Sequence, residues 1–596
     1  MPPSDGNQPS LHVRIHDQCG ACGFLLDPGD RIIALERNLD SASYRIFNAQ
    51  RFTSSAYCEQ DPEVPERRFC RFPDCYLCRN LEYCRDTATI HADCFNLYRR
   101  EAADLHHPMH HLWLICRARY AWKEYDWLRL VPDLASELVL HKATKLFQLH
   151  ILEKLPPEVL EIIWDGVKTA PYTGLRLFSV LEAVEGVRTA PKEDLFVALD
   201  QIKSWKRGRA TEICGPGQST TNRLQVIMDW RGIKEIRPVQ RDPATSMTRP
   251  MHIAFAEVLR PHEVKFRVEA GLCRLENNPG NPLPAIWDTP NPPGRDSPSP
   301  AIAMAACYLR TVSLHECSGI TFFVRGDSTY AIHAHTRDAP CADVTLERIC
   351  PRLGPYLNWV YLPLPPADSI KTIKITERSR WKAQGSYSFT TSVSGEIFIG
   401  SNIPIEGEPL KGWEFETQSP RVLIYQSPRS RLSSSEIPLA TTYPAPTRRE
   451  HPKAPPHDTP LMTFANQVPK PESDAYFSCA PLAGISWIRV YQDPATRCCR
   501  GILAGYESGG QRALGQCRVG CDPYMLYEGP KGICWVDAPP LETERDPESP
   551  GVFVQTGTAG TTHRHESEQD TGWECHAMVG TVVCWFTDQR VYLSIV

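Results

Sequence analysis

Hydrophobic positions along this chain follow two different periods. Between Leu97 and about residue 210, apolar residues recur three and four apart, as in LVPDLASELVLHKATKLFQLHILEKL (130–155), which predicts amphipathic helices. Further on, LEKLPPEVLEIIW places Leu155, Val159, Leu160, Ile163 and Trp164 on one helical face, with Pro156 and Pro157 at its entrance, where proline is tolerated. Past residue 210 the helical period fades and short alternating runs take over. GITFFVRGDSTYAIHAHT (319–336) reads as a hairpin turning at Arg325-Gly326-Asp327-Ser328, and GEIFIGS (395–401) and RVLIYQS (421–427) read as strands. Proline-rich segments punctuate this half. Eight prolines fall within residues 279–300, and 443–460 and 538–551 are similar, so all three read as exposed connections.

One stretch of the β half echoes another. Set without gaps, residues 370–400 lie over 485–515 so that Ile370, Ile373, Ile375, Gly395 and Gly400 fall on Ile485, Ile488, Val490, Gly510 and Gly515. Each copy is an alternating strand, a turn, a second strand and a glycine-bounded third. Two similar sheets, or one pseudo-symmetric sheet, would explain this.

The first hundred residues fit neither regime. Eight of the 23 cysteines lie between positions 19 and 94. The N-terminus, MPPSDGNQPSLHVRIHDQ, lacks the apolar run of a secretory leader. No stretch of about 18 apolar residues suggests a membrane span. The expected compartment is therefore the cytosol or nucleus, where dense cysteines are metal ligands more often than disulfides. Two thiolates separated by two residues reach one ion when the chain turns sharply between them. Gly20 and Gly23 in CGACG are expected to supply that turn, followed by a hairpin through Asp27-Pro28-Gly29-Asp30. In TIHADCFNLYRR, Ile90 and His91 end a strand and Cys94 opens a helix. Cys19, Cys22, His91 and Cys94 are therefore assigned to one tetrahedral zinc ion. Cys75 and Cys78 form a second pair, which Cys70 and Cys84 would complete, with Cys58 spare or replacing one of them. Two structural zinc ions are expected, stapling a small domain that lacks a large core. LHHPMHHLW (105–113) reads as a polar turn around Pro108, since no acidic or cysteine partner stands at ligand-like spacing.

The CxxC and HxxC pairs resemble cross-brace zinc modules of the RING and PHD type, in which such pairs share an ion. After Cys94 those families supply a final cysteine pair, whereas here only Cys116 follows. LPPEVLEIIW resembles the opening of F-box domains. That resemblance implies that Leu155, Pro156, Val159, Leu160 and Ile163 contact a Skp-type ubiquitin-ligase adaptor. Ile-x-x-Ile strands before glycine-rich ones resemble jacalin-like β-prism lectins, which implies carbohydrate binding, although no sugar-binding loop matches residue by residue. Taken together with GGQRALGQCR (509–518), these features resemble uncharacterised proteins of filamentous fungi, a likeness that carries no activity with it.

Charge adds little. The 65 basic and 70 acidic side chains give a net charge of −5, which argues against nucleic acid as a partner of the whole chain. No HExxH, GxSxG, GxGxxG or kinase triplet occurs. CGPGQSTT (214–221) lacks the lysine of a phosphate loop and reads as a glycine turn. HRHE (563–566) reads as a solvated loop, and in the vicinal pair Cys498-Cys499 one side chain is expected inside and one outside.

The expectation is a multidomain α+β chain: a zinc-binding module at 11–100, a helical F-box-like segment at 101–210, a mainly antiparallel β domain at 211–437 (sandwich or β-prism-like), a proline-rich connection at 438–472, and a last β segment at 473–596 that packs with the earlier one. The expected role is non-catalytic protein interaction, as an F-box-like adaptor for ubiquitination. A RING-type ubiquitin ligase and a lectin-like binder are the alternatives.

Overall fold

The protein is described from a computed structural model covering most of residues 11–122, 173–293, 308–346, 356–451 and 467–596, with isolated positions between 130 and 162. Of the three proline-rich segments, 538–551 and most of 443–460 lie outside the described residues, whereas within 279–300 Ile286–Trp287 is a buried strand rather than an exposed connection. The architecture is an N-terminal part with clustered cysteines, short helices after it, and a large, mainly antiparallel β region. The chain divides into two compact units. One comprises Met1–Asn291 with Met304–Tyr308 and Arg429–Leu432; the other comprises Pro292–Ala303, Leu309–Pro428 and Ser433–Val596.

The first unit begins with two small sheets. Strand β1 (Leu11–Arg14) runs parallel to both β5 (Arg67–Cys70) and β6 (Cys84–Arg85), while β4 (Cys58–Gln60) adds antiparallel to β5. In the other sheet β2 (Arg31–Arg37) lies between β3 (Tyr44–Arg51) and β7 (Thr87–His91), all antiparallel. The expected hairpin is different in detail. Asp27–Asp30 does form a tight turn, with Asp30 N donating to Asp27 O at 2.9 Å, but Leu25 bridges back to Gln18 and β2 pairs elsewhere. The short arm before the turn thus closes the loop carrying Cys19 and Cys22.

Four helices matter here: α1 (Tyr76–Arg79), α2 (Ala92–Glu101), α3 (Pro108–Ala118) and α4 (Thr173–Arg188). Helix α2 buries Cys94, Phe95, Leu97 and Tyr98 on its inner stripe, and α4 buries Val180, Val184 and Val187. With Leu35, Ile90 and Leu112 these side chains form one contiguous core. The N-terminal part therefore has a larger apolar interior than its cysteine density suggests, because helices up to residue 188 contribute to it. The helical pattern ends at Arg188 rather than near 210. Asp194–Ala198 and Ile202–Lys206 are strands, and the rest of this unit is antiparallel sheet around Trp122, Trp205, Phe266 and Leu275.

In the second unit, Gly319–Arg325 and Ser328–His335 pair antiparallel with Arg325 opposite Ser328, closing the expected hairpin. The internal echo is also a structural one. Ile370–Ser379, Lys382–Thr391 and Glu396–Ile399 form a sheet in which the second strand is central to the three and Lys411–Glu416 adds beside the first. Ile485–Gln492, Cys499–Tyr506, Gln511–Gly515 and Tyr524–Glu528 repeat that order of third, second, first, fourth. The matched Ile373 and Ile488 are both buried in one shared core. Cys499, the first residue of its strand, is buried, whereas Cys498 just before it is half-buried rather than outside.

Candidate metal centres

Cys19, Cys22, His91 and Cys94 converge so that their ligand atoms all lie within 4.8 Å of one another, and all four are buried. Each comes from a separately explicable piece of chain. The Cys19–Cys22 knuckle is closed by Gly23 N donating to Cys19 O at 2.8 Å, and Gly23 adopts φ +80°, a conformation that favours glycine. Gly20 serves differently from expectation. A Cβ there would lie 2.4 Å from Cys116 Sγ, so its smallness admits the neighbouring helix α3. Arg119, just past α3, donates to the carbonyls of Gly20 and Ala21 and pins the knuckle's backbone. His91 ends β7 and Cys94 sits in the first turn of α2, so a strand-to-helix junction aims both at the knuckle.

The geometry fits a tetrahedral zinc ion. With Zn–S near 2.3 Å and Zn–N near 2.0–2.1 Å, the edges of such a tetrahedron are about 3.5–3.8 Å. His91 Nδ1 lies 3.4 Å from Cys22 Sγ and 3.8 Å from Cys94 Sγ. The far side of the ring is held as a metal-ligating imidazole requires: Nε2 lies 3.1 Å from Leu25 O and 3.3 Å from Asp30 Oδ2. Two backbone N–H groups, of Cys22 and His91, donate to Cys19 Sγ at 3.5 and 3.4 Å, the bonding that favours a thiolate. Burial alone would raise the Cys19 thiol, but hydrogen bonds from Cys22 and Cys94 and the charge of His91 hold it well below the ordinary range. Burial would lower His91, yet the Cys19 charge and the Asp30 hydrogen bond push it up to about 12. Burial pushes the Cys22 thiol up, and hydrogen bonds to Cys19 and Cys22 push up that of Cys94.

A second closed group joins His12, Cys70, Cys75 and Cys78, again with all ligand atoms within 4.8 Å. His12 Nδ1 lies 3.4 Å from both Cys75 Sγ and Cys78 Sγ, the same tetrahedral edge. Of the residues expected in this site, Cys70, Cys75 and Cys78 come together. Cys84 stands opposite His12 across the β1–β6 pair, and its side chain lies outside the described residues, as does that of Cys58. His12 is the ligand that sequence reasoning missed. Its position depends on β1 lying parallel to β5, which places Arg14 opposite Cys70.

With His12 included, the two sets interleave along the chain: His12, then Cys19 and Cys22, then Cys70, Cys75 and Cys78, then His91 and Cys94. Each ion would therefore bridge segments that the other ion separates. Neither set leaves an open coordination position, so the chemistry it offers is structural rather than catalytic. His106, His107, His110 and His111 join no metal-binding group among the described residues; His110 instead contacts Tyr44 at 2.6 Å and Glu269 at 2.5 Å.

Among the described residues, two three-membered groups lie in the second unit: Cys534 with His565 and Cys575, and Cys341 with Asp343 and Cys521. The latter fits a metal tetrahedron less well, because Cys341 Sγ and Cys521 Sγ are 2.7 Å apart, much closer than two zinc-bound sulfurs.

The described part of the F-box-like stretch shows Leu155 half-buried and Pro156 and Val159 exposed; Leu160 and Ile163 lie outside the described residues. No helix among the described residues is long and apolar enough to cross a membrane. No protein-family model matches the chain, and no curated protein matches its sequence.

Proposed function

We propose that this chain is a non-catalytic, zinc-binding protein-interaction protein whose N-terminal part is braced by two structural zinc ions. The observation that carries this is the pair of closed, interleaved four-ligand sets, buried except for the half-buried Cys75 and each lacking a vacant position for a substrate. Bracing of this kind stiffens a small surface so that it can dock without paying heavily in ordering entropy. Exposed apolar residues support the docking role. Val159 is 38% and Ile162 71% exposed in the F-box-like stretch. In the second unit Tyr524, Met525 and Leu526 are exposed in a row on the terminal strand of their sheet, an arrangement suited to partner contact.

The more specific form of this reading is adaptor function: residues 155–163 bind a Skp-type protein and the β region presents targets for ubiquitination. Co-purification of the full chain with a Skp-type adaptor tests it, comparing wild type with Leu155→Asp and Val159→Asp. Binding by wild type and its loss in both variants is expected; no binding by wild type overturns the adaptor reading.

A second reading, a RING-type ubiquitin ligase, is favoured by the interleaving itself, which is the cross-brace order. It predicts autoubiquitination with conjugating enzymes that disappears in Cys94→Ser. Inactivity across a panel of conjugating enzymes removes it.

A further inference from the structure

The remaining cysteine–histidine group in the second unit has a construction unlike the two N-terminal ones. Cys534, on strand Gly532–Asp537, stands directly opposite Cys575, on strand Glu574–Ala577. Directly opposed residues share a face with their Cβ atoms about 4.5–5.5 Å apart, so both sulfurs project to the same side. Trp573 is two residues before Cys575 and His565 stacks on its indole, with ring centroids 4.1 Å apart and planes only 3° from parallel. That stacking places His565 Nε2 3.4 Å from Cys575 Sγ, the edge length of a zinc tetrahedron. All three ligand atoms lie within 4.8 Å of one another.

The opposite face of the same strand pair is occupied otherwise. Trp535 stacks on His576 at 4.5 Å and donates from Nε1 to Glu574 Oε2 at 3.1 Å, so neither His576 nor Glu574 is turned toward the sulfurs. Among the described residues no fourth donor joins the group. Cys534 is buried whereas Cys575 is exposed, so the group reaches from the interior to the surface.

We propose that Cys534, His565 and Cys575 form a third zinc site, to which they supply two thiolates and one imidazole. Two sulfurs and a nitrogen select a borderline-soft divalent ion over magnesium or calcium.

The test uses the full chain, purified in reductant, loaded with zinc and desalted. Zinc per chain is measured by mass spectrometry for wild type, Cys575→Ser and His565→Ala. Each variant is expected to hold one equivalent fewer than wild type. Cys19→Ser should lose a different equivalent, and the Cys19→Ser/Cys575→Ser double variant should lose two, so this site stands or falls apart from the N-terminal ones. Cobalt loading gives a second readout. The wild-type minus Cys575→Ser spectrum should show thiolate-to-cobalt charge transfer. Unchanged zinc content in both variants overturns the proposal, as does a wild-type peptide map in which Cys534 and Cys575 are joined by a disulfide.

Discussion

Replacing His12 by alanine separates the interleaved pair of zinc sites from a nested one. His12 is 4% exposed and its Nδ1 is 3.4 Å from two sulfurs, so the substitution removes one of four ligands from a buried site and supplies nothing in its place. An ion that binds only the folded chain stabilises it by about 4 kcal/mol when its free concentration is a thousand times Kd. Set against a typical net stability of about 5–15 kcal/mol, that is a large fraction. It corresponds to a fall in Tm of roughly 6 °C for a unit of this size. The assay is zinc content together with thermal unfolding for wild type, His12→Ala, His12→Cys and Cys84→Ser. His12→Ala should lose one equivalent of zinc and the corresponding stability. His12→Cys should keep both, because four thiolates make an equally good site. Cys84→Ser should keep the ion. Full zinc content in His12→Ala, or loss of an equivalent in Cys84→Ser, would refute the interleaved arrangement.

Three further expectations follow from particular contacts. Arg119→Met removes the guanidinium that holds the Gly20 and Ala21 carbonyls, and should weaken zinc at the first site about 10–100-fold in competition with a chromophoric chelator; an unchanged affinity would mean the knuckle holds its own shape. Leu35, fully buried in the core shared by the small sheets and helices, should cost about 2–5 kcal/mol as alanine in denaturant unfolding even with zinc saturating, and a cost near zero would show that metal alone holds the N-terminal part. The Asp368 carboxylate accepts hydrogen bonds from Ser394 Oγ at 2.6 Å, Val393 N at 2.8 Å and Thr391 Oγ1 at 2.9 Å. Burial would raise it, but these bonds bring it down to about 2. A depressed carboxyl stabilises the fold above its unfolded value near 4 and loses that contribution as pH falls from about 4 to about 2. Since solvent still screens this half-buried group, the contribution is roughly 1 kcal/mol. The stability advantage of wild type over Asp368→Asn should therefore be present at pH 7 and fade across that window; an advantage independent of pH would contradict the assignment.

Local spacing made some of this molecule readable and long-range pairing concealed the rest. The CxxC and HxxC pairs of the first site are each set within one turn of chain, so Cys19, Cys22, His91 and Cys94 could be grouped from sequence. His12 could not, because nothing near it in LHVRIH distinguishes a ligand from an ordinary strand histidine. Only the parallel β1–β5 pairing brings it to Cys70. The same limit applies to His565, which in HRHE reads as part of a polar loop. It becomes a candidate ligand once Trp573 stacks against it and two opposed strands present their cysteines. The internal echo was legible because alternation and glycine spacing are themselves local, and both copies show the same strand order. The size of the N-terminal core was not legible, since α4 supplies Val180, Val184 and Val187 from about ninety residues beyond Cys94.

Zinc-edge anomalous diffraction from crystals of the full chain tests the interleaved bracing most directly. The account predicts one anomalous peak surrounded by Cys19, Cys22, His91 and Cys94, and another surrounded by His12, Cys70, Cys75 and Cys78. A well-ordered N-terminal part with no peak at either position, or a second peak ligated by Cys84 in place of His12, would contradict it.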